Sequence, residues 1–511
     1  MLIKVPSIAN LGLETIKVDI EVHFANRGLP GFEIVGLPDK AVDESKERVR
    51  TAILSSGMDF PIKKITVNMA PADVPKEGSM YDLPIAIGIL SNIMGFKIPE
   101  NSLFLGELSF DGSLRHTKGG FLMALFAKEA GFSNLFVPKD SANEASAIQG
   151  VTVFPVENLH QISKHFLEEV KIKPVVYQYL PQVKEGNIEF DMKEVLGQEQ
   201  AKRAMEIAAA GSHNIIMVGS PGSGKTMLAK ALPGILPPLN EYESLEVTKI
   251  YSAAGSIPPG GSLIIQRQFR SPHHTASLVG LVGGGSKPQP GEISLAHRGV
   301  LFLDEFNEFP RSIMEAMRQP LEDGYLTISR SKQRVKYPAD FMLVASANPC
   351  PCGYALHPKK SCICSPNQIT KYQKRVSGPM LDRIDLHINV MPVDAHEFEN
   401  NQKNSELLEA SKTIKERVIK AKEKQEIRFA NESIFANSQM NNSHIKKYCQ
   451  LSKEVEGILS QASLKFQLSA RSYMKMIKVA RTIADLEGAD EIELPHMAEA
   501  LQYRIKNYES A

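Results

Sequence analysis

The sequence predicts a multidomain α/β protein that ends in a helical domain. Three observations carry this. Residues 1–168 alternate short β-branched runs with helical stretches, an α+β pattern. From Val195 to Val393 strand and helix patterns alternate again, now separated by glycine-rich loops. Residues 429–511 read as helix throughout. A chain of 511 residues is also too long for one hydrophobic core.

In the front unit, "TIKVDIEVHF" and "KKITVNMAP" read as β-branched strands. "DESKERVRTAILSSG" has helical spacing and closes on a glycine. Residues 169–190 hold prolines, a glycine and scattered charge, and read as a linker. Residues 191–395 form the second α/β unit. Residues 396–428 carry dense mixed charge at helical spacing, as expected of a long exposed helix. Stretches such as "ARSYMKMIKVARTIADLEG" then make up the closing helical domain.

Composition is that of an ordinary globular protein, 43% hydrophobic and 23% charged. Lys+Arg 59 against Asp+Glu 58 leaves a net charge of +1, so no global attraction for nucleic acid exists. A ring or groove can still concentrate basic residues locally. No apolar run approaches the ~18 residues of a membrane span, and the start has no signal-peptide core or cleavage site. Five cysteines, odd in number and mostly clustered, do not form a secreted disulfide framework. The expected compartment is the cytoplasm, with no membrane partner.

"NIIMVGSPGSGKTMLAKAL" is an apolar strand, a glycine-rich loop and a helix. The loop, Gly219, Ser220, Pro221, Gly222, Ser223, Gly224, Lys225 and Thr226, fits the phosphate-binding pattern G-x-x-x-x-G-K-[ST] in its required context. Its glycines let backbone N–H groups curl around phosphate oxygens at a helix N-terminus. Lys225 is expected to reach the β- and γ-phosphates of ATP, and Thr226 to ligate Mg²⁺. "GVLFLDEF" ends a second strand in Asp304, suited to the Mg²⁺ site, and Glu305, suited to polarising the attacking water. "DFMLVASANP" ends a third in Asn348, an amide able to orient that water. The expected activity is ATP hydrolysis.

Directly after Asn348, "NPCPCGYALHPKKSCICSP" holds Cys350, Cys352, Cys362 and Cys364 in two C-x-C pairs. Four thiolates around a short loop suit tetrahedral, structural Zn²⁺. Free buried thiols and disulfides are the alternatives, and His357 is a possible substitute ligand.

"HRGVLFLDEFNE", "LEDGYLTISRSKQRVKYPADFMLVASANP" and "SGPMLDRIDLHI" together resemble AAA+ ATPases of the magnesium-chelatase and replicative-helicase branch. With "GSPGSGKT", "FRSPHHT" and "NPCPCGY", the chain from end to end resembles the bacterial ComM/YifB group of magnesium-chelatase-like proteins. The resemblance implies an AAA+ P-loop αβα core with a C-terminal helical lid, assembled as a homo-hexamer with ATP sites between subunits. It makes Arg383 the finger on a neighbour's γ-phosphate and Arg471 the lid arginine acting within its own subunit. It points the hairpin carrying Arg330, Lys332 and Arg334 into a central pore. A second insert, with Arg267, Arg270, His273 and His274, could add to a basic collar that grips DNA phosphates. The histidine pair could instead ligate a metal.

"NMAPADVPKEGSMYDLPIAIGIL" and the stretch around Gly119 and Gly120 resemble the proteolytic domain of Lon. Met80, or Ser79 by slippage, stands at the position of the serine, and Leu122 at that of the lysine. Neither Met nor Leu can attack a carbonyl or take a proton, so the resemblance implies a Lon-like scaffold without its chemistry. The function implied is a DNA motor, as in branch migration of incoming DNA, with recombination proteins as possible partners. The rivals are a chelatase-type chaperone remodelling a protein partner and a DNA-binding ring whose ATP only sets assembly.

Overall fold

The computed structural model describes all residues except 1, 26, 28, 177–188, 286–287, 331–332, 394–407 and 505–511. The front unit has two main sheets. Leu2–Leu11 and Glu14–Ala25 pair antiparallel, Lys64–Ala70 joins the second of these antiparallel, and Gly31–Val35 adds to it in parallel. Alternation sends Val18, Ile20, Val22 and Phe24 inward together with Ile65, Val67 and Met69. Ser102–Phe104, Asn134–Pro138 and Thr152–Val156 form a parallel three-stranded sheet. The helix Asp82–Met94 is apolar nearly all round and lies buried in this unit's core. The unit runs past the expected boundary at residue 168: Ile172 belongs to its core and Val175 bridges to Val153.

The second unit is a five-stranded sheet, parallel throughout. In spatial order its strands are Phe269–Arg270, Val300–Leu303, Met342–Ala347, Ile215–Gly219 and Leu386–Val390. The strand feeding the glycine-rich loop is thus separated from the one ending at Asp304 by the strand ending at Asn348. These strands are buried on both faces, which is why they read as continuous apolar runs.

The closing helices do not have a core of their own. Ser411–Arg428, Lys453–Phe466 and Ala470–Leu486 share one hydrophobic cluster with the sheet, joining Leu459 and Ile483 to Met217, Val344 and Ile388. The helix Ser411–Arg428 was expected to be exposed. It buries Ile414, Val418 and Ala421 at spacings of four and three. They pack near Glu199–Gly211, whose run of alanines permits close approach. A Cβ on Gly211 would lie 2.7 Å from Thr482 Oγ1 of the closing domain, so only glycine fits there.

The front unit docks on the second α/β unit through polar contacts, one buried and one at the surface. Ser252 Oγ donates to Glu144 at 2.5 Å, and Gly260 N–H to Asp140 O at 2.8 Å. Its first turn, Gly12–Leu13, packs on Val335 and Tyr337 of the hairpin Tyr325–Arg330/Gln333–Pro338.

Candidate active site

Parallel strands leave their carboxyl ends on one edge, and the sheet's register gathers the expected residues there. Val218 pairs with Ala347, so Gly219 and Asn348 follow side by side; Leu303 pairs with Ala345, so Asp304 comes beside Ser346. Gly222 and Gly224 have φ of +78° and +92°, conformations that favour glycine. Lys225 Nζ donates to Gly219 O at 2.7 Å and Ser220 O at 2.9 Å, and lies 3.4 Å from Asn348 Oδ1. Burial lowers its pKa, while the charges of Asp304 and Glu305 oppose that shift.

Thr226 Oγ1 donates to Asp304 Oδ2 at 2.9 Å, which puts both within reach of one cation. Ser346 Oγ holds the other Asp304 oxygen, and the Glu305 N–H donates to that oxygen at 3.0 Å. Ser220 Oγ and Ser223 Oγ, both buried, have no hydrogen-bond partner among the described residues. Open glycines, buried hydroxyls, a lysine and a Thr–Asp pair match a Mg²⁺-nucleotide in chemistry. Glu305 itself has φ +52°, unusual for a side-chain-bearing residue. Its carboxylate is half exposed and pairs with His274 Nδ1 at 3.1 Å. The signal for His274 was present in "FRSPHHT", but spacing alone did not show which strand end it would meet. His273 instead lies tilted against His274, ring centres 4.1 Å apart, and bonds Thr275 Oγ1 at 2.8 Å.

The two arginines lie elsewhere. Arg383 and Arg471 both pair with Glu322, the latter at 2.6 Å, and Arg383 also donates to Pro379 O at 2.7 Å. The Arg383 hydrogen bond, with Arg471 adding to it, holds the Glu322 carboxyl below its ordinary pKa. They line a cleft with Asn214 and Asp340, at the amino ends of the strands. That is a strand length, ~16 Å, from Gly219. In this arrangement Arg471 pairs with Glu322 and lies away from the phosphate-binding loop of its own subunit. The closing helix Ala470–Leu486, whose first turn carries Arg471, packs on Glu199–Gly211 and sets the arginine there.

The basic inserts also differ from expectation. Arg267 donates to Pro237 O, Arg298 O and Glu243, and Arg270 makes two bonds to Glu292 at 2.6 and 2.7 Å. Both guanidiniums are committed within the subunit and are not free phosphate contacts. Arg334 is exposed on the second strand of the hairpin. Lys332 and the side chain of Arg330 lie outside the described residues.

The four cysteine Sγ atoms all lie within 4.8 Å of one another. Backbone amides, that of Tyr354 first, bring the Cys352 thiol down to about 6. His357 Nδ1 accepts the N–H groups of Lys359 and Lys360 at 3.1 and 3.0 Å and lies outside this group of four thiols. In the front unit Ser79 Oγ donates to Glu107, and Leu122 is buried in the core. Among the described residues no helix is long and apolar enough to cross a membrane.

Together, the strand order and the loop define an AAA+ protein of the magnesium-chelatase type. Residues 191–398 match the family "Magnesium chelatase, subunit ChlI", with matches to further ChlI segments over residues 20–141 and 408–504. The chain is 41% identical to YifB of Salmonella typhimurium, covering 97% of this chain and 96% of that one. It is likewise 41% identical to the competence protein ComM of Haemophilus influenzae, covering 98% and 96%. The magnesium-chelatase 38 kDa subunit of Rhodobacter capsulatus is 26% identical over 31% of this chain and 50% of its own. The chain belongs to the ComM/YifB family.

Proposed function

We propose that this protein is an ATP-driven homo-hexameric motor that moves DNA, in branch migration during integration of incoming DNA. The observation that carries the reading is the placement of Arg383 and Arg471 on Glu322, a strand length from their own phosphate-binding loop. A finger held there is far from its own loop, which fits a role at a neighbour's site in a ring. The name of the competence protein ComM supports a role in DNA uptake.

In each site Lys225 neutralises the phosphates, Asn348 orients a water and Glu305 takes its proton. Mg²⁺, when bound by Thr226 and Asp304, supplies further charge neutralisation. Arg383 and Arg471 of the next subunit stabilise the charge that develops in transit. His274 restrains Glu305 until the site is assembled. Arg330, Lys332 and Arg334 at the hairpin are the proposed DNA contacts, and the four-cysteine cluster is the proposed Zn²⁺ site. The front unit serves as a Lon-like scaffold that braces the hairpin. The chelatase-type chaperone is less well supported, because the Rhodobacter capsulatus chelatase subunit aligns with 31% of this chain at 26% identity, against 98% at 41% for ComM.

The test is purified protein with ATP on four-way and forked DNA. Branch migration together with DNA-stimulated ATP turnover is expected. If neither DNA binds or stimulates turnover, the motor reading fails.

A further inference from the structure

We infer that Zn²⁺ at Cys350, Cys352, Cys362 and Cys364 clamps the γ-phosphate sensor and the phosphate-binding loop into one rigid piece. The inference rests on the nucleotide-site reading above and adds a mechanical role for the metal.

The thiols are set for a metal. Cys350 Sγ lies 3.4 Å from Cys352 Sγ and 3.7 Å from Cys362 Sγ, and Cys352 and Cys362 are 3.5 Å apart. A tetrahedral ion with Zn–S bonds of about 2.3 Å needs sulfur separations of ~3.8 Å. A disulfide would need about 2.05 Å. The Cys364 N–H donates to Cys362 Sγ at 3.4 Å, the kind of backbone donor that supports a bound thiolate.

Apart from the thiols, the loop is held by Leu356, packed against the sheet's core, and by Tyr354 in ring contact with His357. Ile363, between the last two ligands, is 87% exposed, and Cys350 is the ligand that is buried. The loop also touches the nucleotide site. It starts at Asn348, and Gln373 Nε2 ties Pro349 O to the following helix Pro366–Gln373 at 3.1 Å. Next to Cys352, Gly353 sits at φ +82° directly on Pro221 of the phosphate-binding loop. A Cβ there would lie 2.5 Å from Pro221 Cδ. An ion that fixes Cys350 and Cys352 therefore fixes Asn348 on one side and Pro221 on the other.

The test uses the full-length protein. Metal analysis should find about one Zn²⁺ per chain. Co²⁺ exchanged into the site should show thiolate charge-transfer and tetrahedral ligand-field bands. Cys352→Ser with Cys362→Ser should abolish both. Stripping the wild-type protein with a mercurial, followed by thiol, should lower ATP turnover about 10–100-fold, and Zn²⁺ should restore it. This reversible arm covers the case in which the double variant fails to fold.

Gly353→Ala, with its metal content measured alongside, should lose turnover and weaken a fluorescent ATP analogue, because the added Cβ runs into Pro221. Metal that persists in the double variant, or absence of metal from fresh and Zn²⁺-supplied protein, overturns the site. Unchanged turnover and nucleotide affinity in both stripped protein and Gly353→Ala overturn the clamp. Failure of the nucleotide-site reading would look different: Glu305→Gln would turn over ATP normally while its Zn²⁺ content stayed at one.

Discussion

Asp304 and Glu305 are adjacent, yet the structure gives them opposite surroundings. Asp304 is held by Thr226 and Ser346, whereas Glu305, at φ +52°, reaches into solvent with one imidazole on it. A group fixed on both oxygens suits cation binding; one that can swing suits proton transfer. Glu305→Gln should keep Mg²⁺-ATP binding and lower turnover about 10²–10⁴-fold, the usual worth of a general base. Single-turnover hydrolysis checks this, and near-normal turnover would remove Glu305 from the role. A half-exposed His–Glu pair is worth only ~0–1 kcal/mol, cheap enough to break in each cycle. His274→Ala should therefore raise DNA-free turnover by up to ~5-fold at unchanged KM for ATP, and His274→Asn, which can still donate, should stay low. A fall in KM and kcat together would mean a purely structural contact.

At the scale of elements, one inserted strand arranges the site and one shared core displaces the arginines. Met342–Ala347 lies between the strands ending at Gly219 and Leu303, which brings Asn348 to Lys225. The helices Ser411–Arg428 and Ala470–Leu486 pack with Glu199–Gly211 and carry Arg471 to Glu322. If Arg471 serves a neighbour, mixing two inactive variants restores activity. Arg471→Ala and Glu305→Gln subunits should together recover part of the wild-type turnover, because some interfaces then have both groups. No recovery at any ratio would return Arg471 to its own subunit. On the hairpin, neutralising Lys332 and Arg334 should weaken DNA binding and flatten its dependence on salt, by up to ~1 log unit for each phosphate no longer neutralised. Titrations at two salt concentrations read this out.

For the whole molecule, the joint between sheet and closing helices is a store of buried charge. Asp385 bonds His213 at 3.0 Å and pairs with Lys475 at 3.2 Å; both partners hold the Asp385 carboxyl far below its ordinary pKa, against the effect of burial. Next to it, burial first and the charge of Lys475 second bring His387 down to about 4. An unfolded histidine titrates near 6.5. Between about 6.5 and about 4 the unfolded chain binds a proton that the folded chain refuses, so stability falls as pH falls through that window. The loss is of order 3 kcal/mol. Denaturant midpoints across that window should drop for the wild type and drop less for His387→Gln. Equal slopes would place the acid sensitivity elsewhere.

The sequence by itself determined the strand–loop–helix around Lys225, the acidic pair at Asp304 and Glu305, the clustering of four thiols and the helical character of the closing domain. These are local: chain neighbours, or a periodicity, set them. Tertiary structure decided what local order cannot reach. Arg267 and Arg270 look like free basic contacts in sequence, but Glu243 and Glu292 from other segments neutralise them. Ser411–Arg428 looks exposed by its charge, but an alanine-rich partner buries one of its faces. Arg471 is placed on Glu322 by packing of the same kind. A guanidinium acts where packing of the whole lid carries it, and that packing depends on a core shared between segments more than 200 residues apart.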